Sequence, residues 1–134
     1  MKAHAFRLQP GEDLRRSIDA FVAEKKIVAG AMVTCVGSLT HAALRYAGEE
    51  QTTEKSGKFE IVSLEGAVSV NGSHLHIAIA DSHGQMTGGH LQYGSLVYTT
   101  AEVVIIELSG LEFLRSHDAS TGYRELVVRN NLLE

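Results

Sequence analysis

Histidines are concentrated in one short stretch of the chain. Four of its seven histidines lie between residues 74 and 90, in the segment HLHIAIADSHGQMTGGH. A neutral imidazole nitrogen is a common protein ligand for zinc and other transition metals. One residue separates His74 from His76, and His90 follows Gly88 and Gly89. This grouping predicts either a metal site or another polar site. Which of the two is favoured depends on whether the secondary-structure elements bring the histidines together.

The segment around His74 and His76 alternates between polar and apolar residues, which predicts a β-strand. Leu75, Ile77 and Ile79 would face the core, and both histidines would project from the opposite face. Their Cα atoms would then lie about 6–7 Å apart. Both rings could reach one ion at about 2 Å per Zn–N bond. Asn71–Gly72, a strong hairpin signal, would fix the register of this strand.

His90 is the best candidate for a third ligand. The Gly88–Gly89 pair before it can take backbone angles closed to other residues, and could bring a glycine-rich loop (82–90) back over the strand. Three imidazoles with one open position resemble catalytic rather than structural zinc sites, although imidazole also suits nickel, copper and iron. The alternative is an ordinary surface strand, which the His-x-His pair alone would favour.

Nearby residues could assist a bound ion. Asp81 and His83 lie in the same stretch and could be ligands, orient the ligands or transfer protons. Of the glutamates on predicted strands, Glu60, Glu65 and Glu107, one could act as a base, and Glu60 is the first candidate. We expect Cys35, in an apolar strand, to be a buried structural thiol. The remaining histidines are interpreted as surface or hydrogen-bonded residues: His4, His41 and His117.

The elements around the cluster predict an α+β domain that is mostly β. One helix lies within residues 10–27, with an apolar face at helical spacing, and it packs on an antiparallel or mixed sheet. Other segments predict strands: 3–8, 29–36, 39–47, 58–70, 73–81, 95–108 and 124–129. Gly37–Ser38 predicts a tight hairpin, 49–57 a loop, and Gly66 a bend or bulge.

Composition narrows the class of protein. A length of 134 residues suits a single domain (1–134), and one cysteine forbids an internal disulfide, which favours a cytoplasmic protein. The first residues lack the apolar segment of a signal peptide, and no apolar run is long enough to span a membrane. The net charge of −4 disfavours binding to duplex DNA.

Several motifs together resemble one family. The segments GKFEIVSLEGAV, HLHIAIAD, GQMTGGHL and EFLRSHDASTGYREL, with PGEDL and TCVGSL before them, are similar to the PPC domain. This is the plant-and-prokaryote conserved domain, also called PD1-like, and the chain resembles its stand-alone prokaryotic type. The resemblance implies a compact α+β fold around an antiparallel sheet of about seven strands, assembled as a homotrimer. It also implies that His74, His76 and His90 form a metal site, with zinc expected.

The resemblance leaves the cellular role open. Plant members join the domain to AT-hooks, Arg-Gly-Arg-Pro segments that enter the DNA minor groove, and the 134 residues contain no such segment. We therefore consider three hypotheses. The first is a homotrimeric metal-binding module of unknown role, the second a DNA-binding or transcription-regulatory protein, and the third a metal-dependent hydrolase of a small molecule.

Overall fold

The computed structural model describes residues 1–131, which form eight strands and one helix. The elements are β1 (Lys2–Leu8), α1 (Leu14–Glu24), β2 (Gly30–Arg45), β3 (Thr53–Val68), β4 (His74–Ala80), β5 (Met86–Leu91), β6 (Leu96–Glu107), β7 (Leu111–His117) and β8 (Arg124–Asn130). The predicted fold class, a mostly antiparallel sheet with one main helix in a compact domain, is confirmed.

Six strands form the main sheet, in the order β1-β6-β2-β3-β4-β5, and all their pairings are antiparallel. The sheet curls until β5 also pairs with the end of β2, at Leu44↔Leu91 and Arg45↔His90. Strands β7 and β8 form a separate two-stranded sheet. The curl brings residues of β2 beside the β4–β5 hairpin, although they are distant in sequence.

The helix covers the core as its spacing predicts. Asp13 caps its first turn, because the Asp13 carboxylate accepts a hydrogen bond from the Arg16 backbone N–H at 3.0 Å. Leu14, Ile18 and Val22 recur on one face and are buried. They join the inward side chains of the strands in one hydrophobic cluster. Among the described residues, no helix has the length and hydropathy needed to cross a bilayer.

The predicted hairpin at Gly37–Ser38 is wrong, because β2 runs without a break from Gly30 to Arg45. Gly37 lies within the strand with a φ of +157°. A Cβ atom there would lie 2.0 Å from the Thr100 carbonyl oxygen. The glycine therefore allows close approach of β6, near an irregularity in the β2–β6 register, and does not mark a turn.

Three further boundaries differ from prediction. Residues 49–57 are only partly a loop, since β3 already begins at Thr53. The register between β3 and β4 shifts between Ile61 and Ser63 rather than at Gly66. The segment 111–117, for which no strand was predicted, is β7, and it pairs with β8 along its whole length.

Candidate metal centre

The β4–β5 hairpin carries all three candidate ligands. Strand β4 buries Leu75, Ile77 and Ile79 and leaves His74 and His76 exposed, as the alternation predicts. Its partner β5 pairs with it in register, and His76 lies directly opposite His90. Directly opposite residues of an antiparallel pair project from the same face. The register therefore places the three imidazoles on one outer surface of the sheet.

The route by which His90 reaches this surface differs from the predicted loop. Residues 86–91 form a strand, and neither Gly88 nor Gly89 has a positive φ. A Cβ atom at Gly88 would lie 2.5 Å from the Ile77 carbonyl oxygen, and one at Gly89 would lie 2.7 Å from the Arg45 carbonyl oxygen. The two glycines therefore serve close backbone approach on both sides of β5 and do not provide unusual backbone angles.

The three imidazoles converge. One nitrogen from each ring lies within 4.8 Å of the others. The ring centroids of His76 and His90 are 4.6 Å apart, those of His74 and His76 4.8 Å, and those of His74 and His90 5.3 Å. The His74 and His90 rings are nearly parallel, at 9°, and the His76 ring is close to perpendicular to both, at 86°. All three rings therefore lie close together on the same part of the surface.

The surroundings favour neutral imidazoles. The pKa of His74 is lowered from 6.5, first by desolvation and then by the charges of His76 and Arg115. The pKa of His90 is also lowered, first by desolvation and then by Arg45 and His76. An unprotonated nitrogen is the form that binds a metal ion, so both rings are ready to act as ligands at neutral pH.

Open cavities surround these histidines. One cavity of about 610 Å³ lies between the main sheet and the β7–β8 hairpin, against His74 and His90. A second cavity of about 370 Å³ touches His74 and His76 and includes Glu65. Arg115 lines both cavities. A ligand bound to an ion at this point would therefore have space beside the histidines.

Comparison with known proteins identifies the family. The family model of the Plants and Prokaryotes Conserved (PCC) domain matches residues 1–109. The chain belongs to this family. The match confirms the resemblance that the motifs predict.

Three known proteins are similar to this chain over nearly its whole length. The bifunctional protein GlmU from a Synechococcus species is 40% identical over 126 residues, which are 94% of this chain but 20% of GlmU. The chain thus spans about a fifth of the length of that relative. A hypothetical protein from Salmonella enterica shares 44% identity and a TM-score of 0.95, over 98% of this chain and 95% of its own. A metal-containing protein from Archaeoglobus fulgidus shares 31% identity and a TM-score of 0.81, over 95% and 94%.

The other predicted site residues of this PCC domain lie elsewhere. The Asp81 carboxylate accepts hydrogen bonds at 2.9 Å from the backbone N–H groups of His83 and Gln85, which closes the β4–β5 turn. Glu60 lies opposite Ala80, at the same end of β4. Asp81 follows His76 by five positions, which corresponds to about 16 Å along an extended chain. The structure therefore does not place Asp81, His83 or Glu60 beside the three histidines.

The histidines outside the cluster and the cysteine have separate environments. The His4 ring lies 2.8 Å from a carboxylate oxygen of Glu107, and the His41 ring 3.0 Å from the Thr40 hydroxyl. His117 is exposed at the end of β7. Cys35 is buried as expected, and burial, with a smaller effect of Glu102, raises its thiol pKa to about 12.

Two other residues lie beside the histidines: Glu65, one of the strand glutamates considered as a base, and Arg45, which was not predicted. Glu65 lies directly opposite His76, and Arg45 directly opposite His90. The observed pairing of β3 with β4, which the Asn71–Gly72 signal alone does not give, places Glu65 opposite His76. Arg45 reaches the PCC-domain site only through the curl of the sheet, so local sequence carried no signal for it.

Proposed function

We propose that this chain is a metal-binding PCC-domain protein in which His74, His76 and His90 hold one divalent ion, with zinc as the first candidate. The observation that carries this proposal is the convergence of three imidazole nitrogens within 4.8 Å of one another. The relative from Archaeoglobus fulgidus is named as a metal-containing protein, which supports the proposal.

The donor set fits such an ion. Nitrogens bound to a tetrahedral zinc ion at about 2.0–2.1 Å lie about 3.3–3.4 Å apart, so the three rings need small rotations to close around it. Two of them lie on paired strands in fixed register, which limits the reorganisation that binding requires. Three protein ligands leave a fourth position for water or another ligand, and a zinc ion there would polarise that ligand.

In this proposal, Glu65 assists the ligands of the ion, and Arg115 contributes to keeping the His74 ring unprotonated. Glu65 lies directly across from His76 and presents a carboxylate on the same face. A carboxylate in this position can orient an imidazole or accept a proton from a ligand of the ion. The pKa of His74 is already lowered, first by desolvation and then by the charges of His76 and Arg115, so its ring binds without first losing a proton at neutral pH.

Elemental analysis tests the proposal. The protein is purified without a metal-affinity column, and its metal content is measured by plasma mass spectrometry, which reads zinc, nickel, copper and iron together. We expect about one ion per chain in the wild type and a large loss in His76→Ala. His41→Ala is the matched control, because His41 is exposed and outside the cluster. A content far below one ion per chain that His76→Ala leaves unchanged would overturn the proposal.

Self-association as a homotrimer is the second part of the proposal. It rests on the family resemblance and on apolar side chains exposed on the outer face of the two longest strands. Val33 and Val36 on β2 are 57% and 60% exposed, and Val62 on β3 is 51% exposed. Such a patch typically marks a protein interface. Light scattering should give three times the chain mass of 14.5 kDa, and a mass of one chain would contradict it.

A metal-dependent hydrolase of a small molecule is a second candidate function. The cavity of about 370 Å³ against His74 and His76 has the size of a small-molecule site, and Glu65, which lines it, offers a base near the proposed ion. A screen of small esters, amides and phosphates tests it. Activity that is lost on chelation and in Glu65→Gln supports this function, and activity that survives chelation contradicts it.

The DNA-binding alternative has less physical support. The net charge of the chain is −4, and self-association would multiply that negative charge. Binding to duplex DNA draws much of its strength from basic side chains that neutralise phosphates. Duplex binding at physiological salt, with a steep salt dependence, would favour this alternative over the metal-binding proposal.

A further inference from the structure

Basic side chains from three different strands line the larger cavity. Arg45 comes from the end of β2, Arg115 from β7 and Arg124 from the start of β8. His74 and His90 line the same cavity. The chain as a whole is acidic, so this is a local concentration of positive charge against the overall balance.

These three guanidinium groups differ from three of the four other arginines of the described chain; the fourth, Arg7, donates to Thr99 and Thr100 and also contacts no carboxylate. Arg15, Arg16 and Arg129 each pair with a carboxylate. Within residues 1–131, no carboxylate oxygen lies within 4.0 Å of a side-chain nitrogen of the three cavity arginines.

The hydrogen bonds of the cavity arginines go to main-chain oxygens. Arg45 donates to the Glu49 carbonyl at 3.1 Å, and Arg124 to the Arg115 carbonyl at 2.9 Å. The half-buried Arg115 guanidinium makes no hydrogen bond to another described residue. Positive charge is therefore held at this cavity without a counter-charge in contact.

A divalent ion on the neighbouring histidines would increase this imbalance. One carboxylate, Glu125, also lines the cavity, but it cannot balance three guanidinium groups and an ion. Planar guanidinium groups match carboxylate and phosphate oxygens in geometry and form strong, charge-assisted hydrogen bonds with them. The volume of about 610 Å³ is within the usual range for a small-molecule ligand.

We propose that this cavity binds a small organic oxoanion, with a carboxylate or phosphate group held by Arg45, Arg115 and Arg124 beside the ion on the histidines. The location of the ion rests on the function proposed above. The recognition of the anion rests on the arginines alone. Tyr123 and Asn71, which also line the cavity, offer a polar ring and an amide for the remainder of the ligand.

Calorimetric titration with two probes tests this inference. Zinc-loaded protein, freed of excess metal, is titrated with sodium succinate and separately with inorganic phosphate, which distinguishes carboxylate from phosphate recognition. We expect at least one probe to bind at millimolar concentration or below. Arg115→Gln should weaken that binding by about tenfold or more, because a hydrogen-bonded charge partner is lost.

Two further variants make the test specific. Arg129→Gln is the matched control, since Arg129 lies on the same hairpin, pairs with Glu112 and does not line the cavity, and it should leave binding unchanged. Arg45→Gln changes the opposite wall from a different element, and it should weaken binding even if Arg115→Gln disturbs the hairpin. Arg124 is less suitable, because its side chain also holds the Arg115 carbonyl.

Zinc content is measured for every variant, which separates the two proposals. The anion site is overturned if zinc-loaded wild-type protein binds neither probe. It is also overturned if the Arg115→Gln and Arg45→Gln variants bind the probes as tightly as the wild type does. Both outcomes leave the metal proposal standing as long as the protein retains zinc. Arginine-dependent binding in protein that takes up no zinc supports the anion site and refutes only the metal proposal.

Discussion

Gly66 connects the backbone of β3 to the position of the first candidate ligand. It lies on β3 opposite Leu75 with a φ of +149°, a conformation that side chains rarely adopt. A Cβ atom at this position would lie 1.9 Å from the His74 carbonyl oxygen and 3.0 Å from the Leu75 Cα atom. Gly66→Ala should therefore both destabilise the fold and displace His74.

The magnitude follows from these contacts. Real Cβ atoms do not approach closer than 3.0 Å, so the His74 carbonyl must retreat by about 1.1 Å from its present 1.9 Å. The unfavourable backbone angle costs about 1–2 kcal/mol, and the forced displacement costs about 1–3 kcal/mol more, by analogy with overpacking. We expect the free energy of unfolding to fall by about 2–5 kcal/mol. Zinc affinity should fall by about tenfold to a hundredfold, as when the groups that orient a ligand are lost.

Gly84→Ala is the matched control. Gly84 also has a positive φ, of +77°, but no atom lies within 4 Å of a Cβ built there. The control should lose only the backbone part, about 1–2 kcal/mol, and should keep its affinity for zinc. Stability is measured by urea unfolding of metal-free protein, and zinc affinity by competition with a chromophoric chelator.

Equal losses of stability in the two variants would refute the steric reasoning, because a clash with the β4 backbone is expected only in Gly66→Ala. Unchanged zinc affinity in a Gly66→Ala protein that is clearly destabilised would show instead that the His74 ring keeps its place when its backbone moves. In that case the coupling between β3 and the metal centre would be wrong.

Three further outcomes follow from the structure. Because desolvation and nearby positive charge lower the pKa values of His74 and His90, protons should compete with zinc at these two rings only in acid solution. Zinc affinity in a pH titration should therefore fall mainly on the acid side of neutrality, and a decline that is complete before the solution becomes acid would contradict this. Cys35, with its pKa raised to about 12 by burial, should resist iodoacetamide in folded protein and react once unfolded, as mass spectrometry will show. Asp13→Ala should lower the free energy of unfolding by about 2–3 kcal/mol, because the carboxylate caps α1 and also accepts the Gly94 backbone N–H at 2.7 Å; a loss under about 1 kcal/mol in urea unfolding would count against both contacts.

Local patterns were sufficient for much of the fold. The alternation from His74 to Ala80 predicted which side chains of β4 face the core, and the Asn71–Gly72 pair predicted the turn that begins this strand. The spacing of Leu14, Ile18 and Val22 predicted the buried face of the helix. These features depend on side-chain periods and turn preferences within a few residues, which can be read from sequence.

Glycines were the main source of error. Gly37 was interpreted as a turn, and Gly88–Gly89 as a flexible loop, because glycine most often marks such places. In the structure they lie within strands where a neighbouring backbone comes too close for a Cβ atom. That reason involves Thr100, Ile77 and Arg45, none of which is adjacent in sequence. Local sequence cannot distinguish the two uses of glycine.

For the candidate site, too, some features could be predicted from local sequence and others could not. The sequence by itself determined the three histidines, since their type and spacing and the strand alternation follow from neighbouring residues. Only the tertiary structure decided what surrounds them. The β3 register selects Glu65 over Glu60, and the curl of the sheet and the β7–β8 hairpin bring Arg45 and Arg115 to the same cavity. The physical reason is that a strand's period is local, whereas its partners are set by packing of the whole chain.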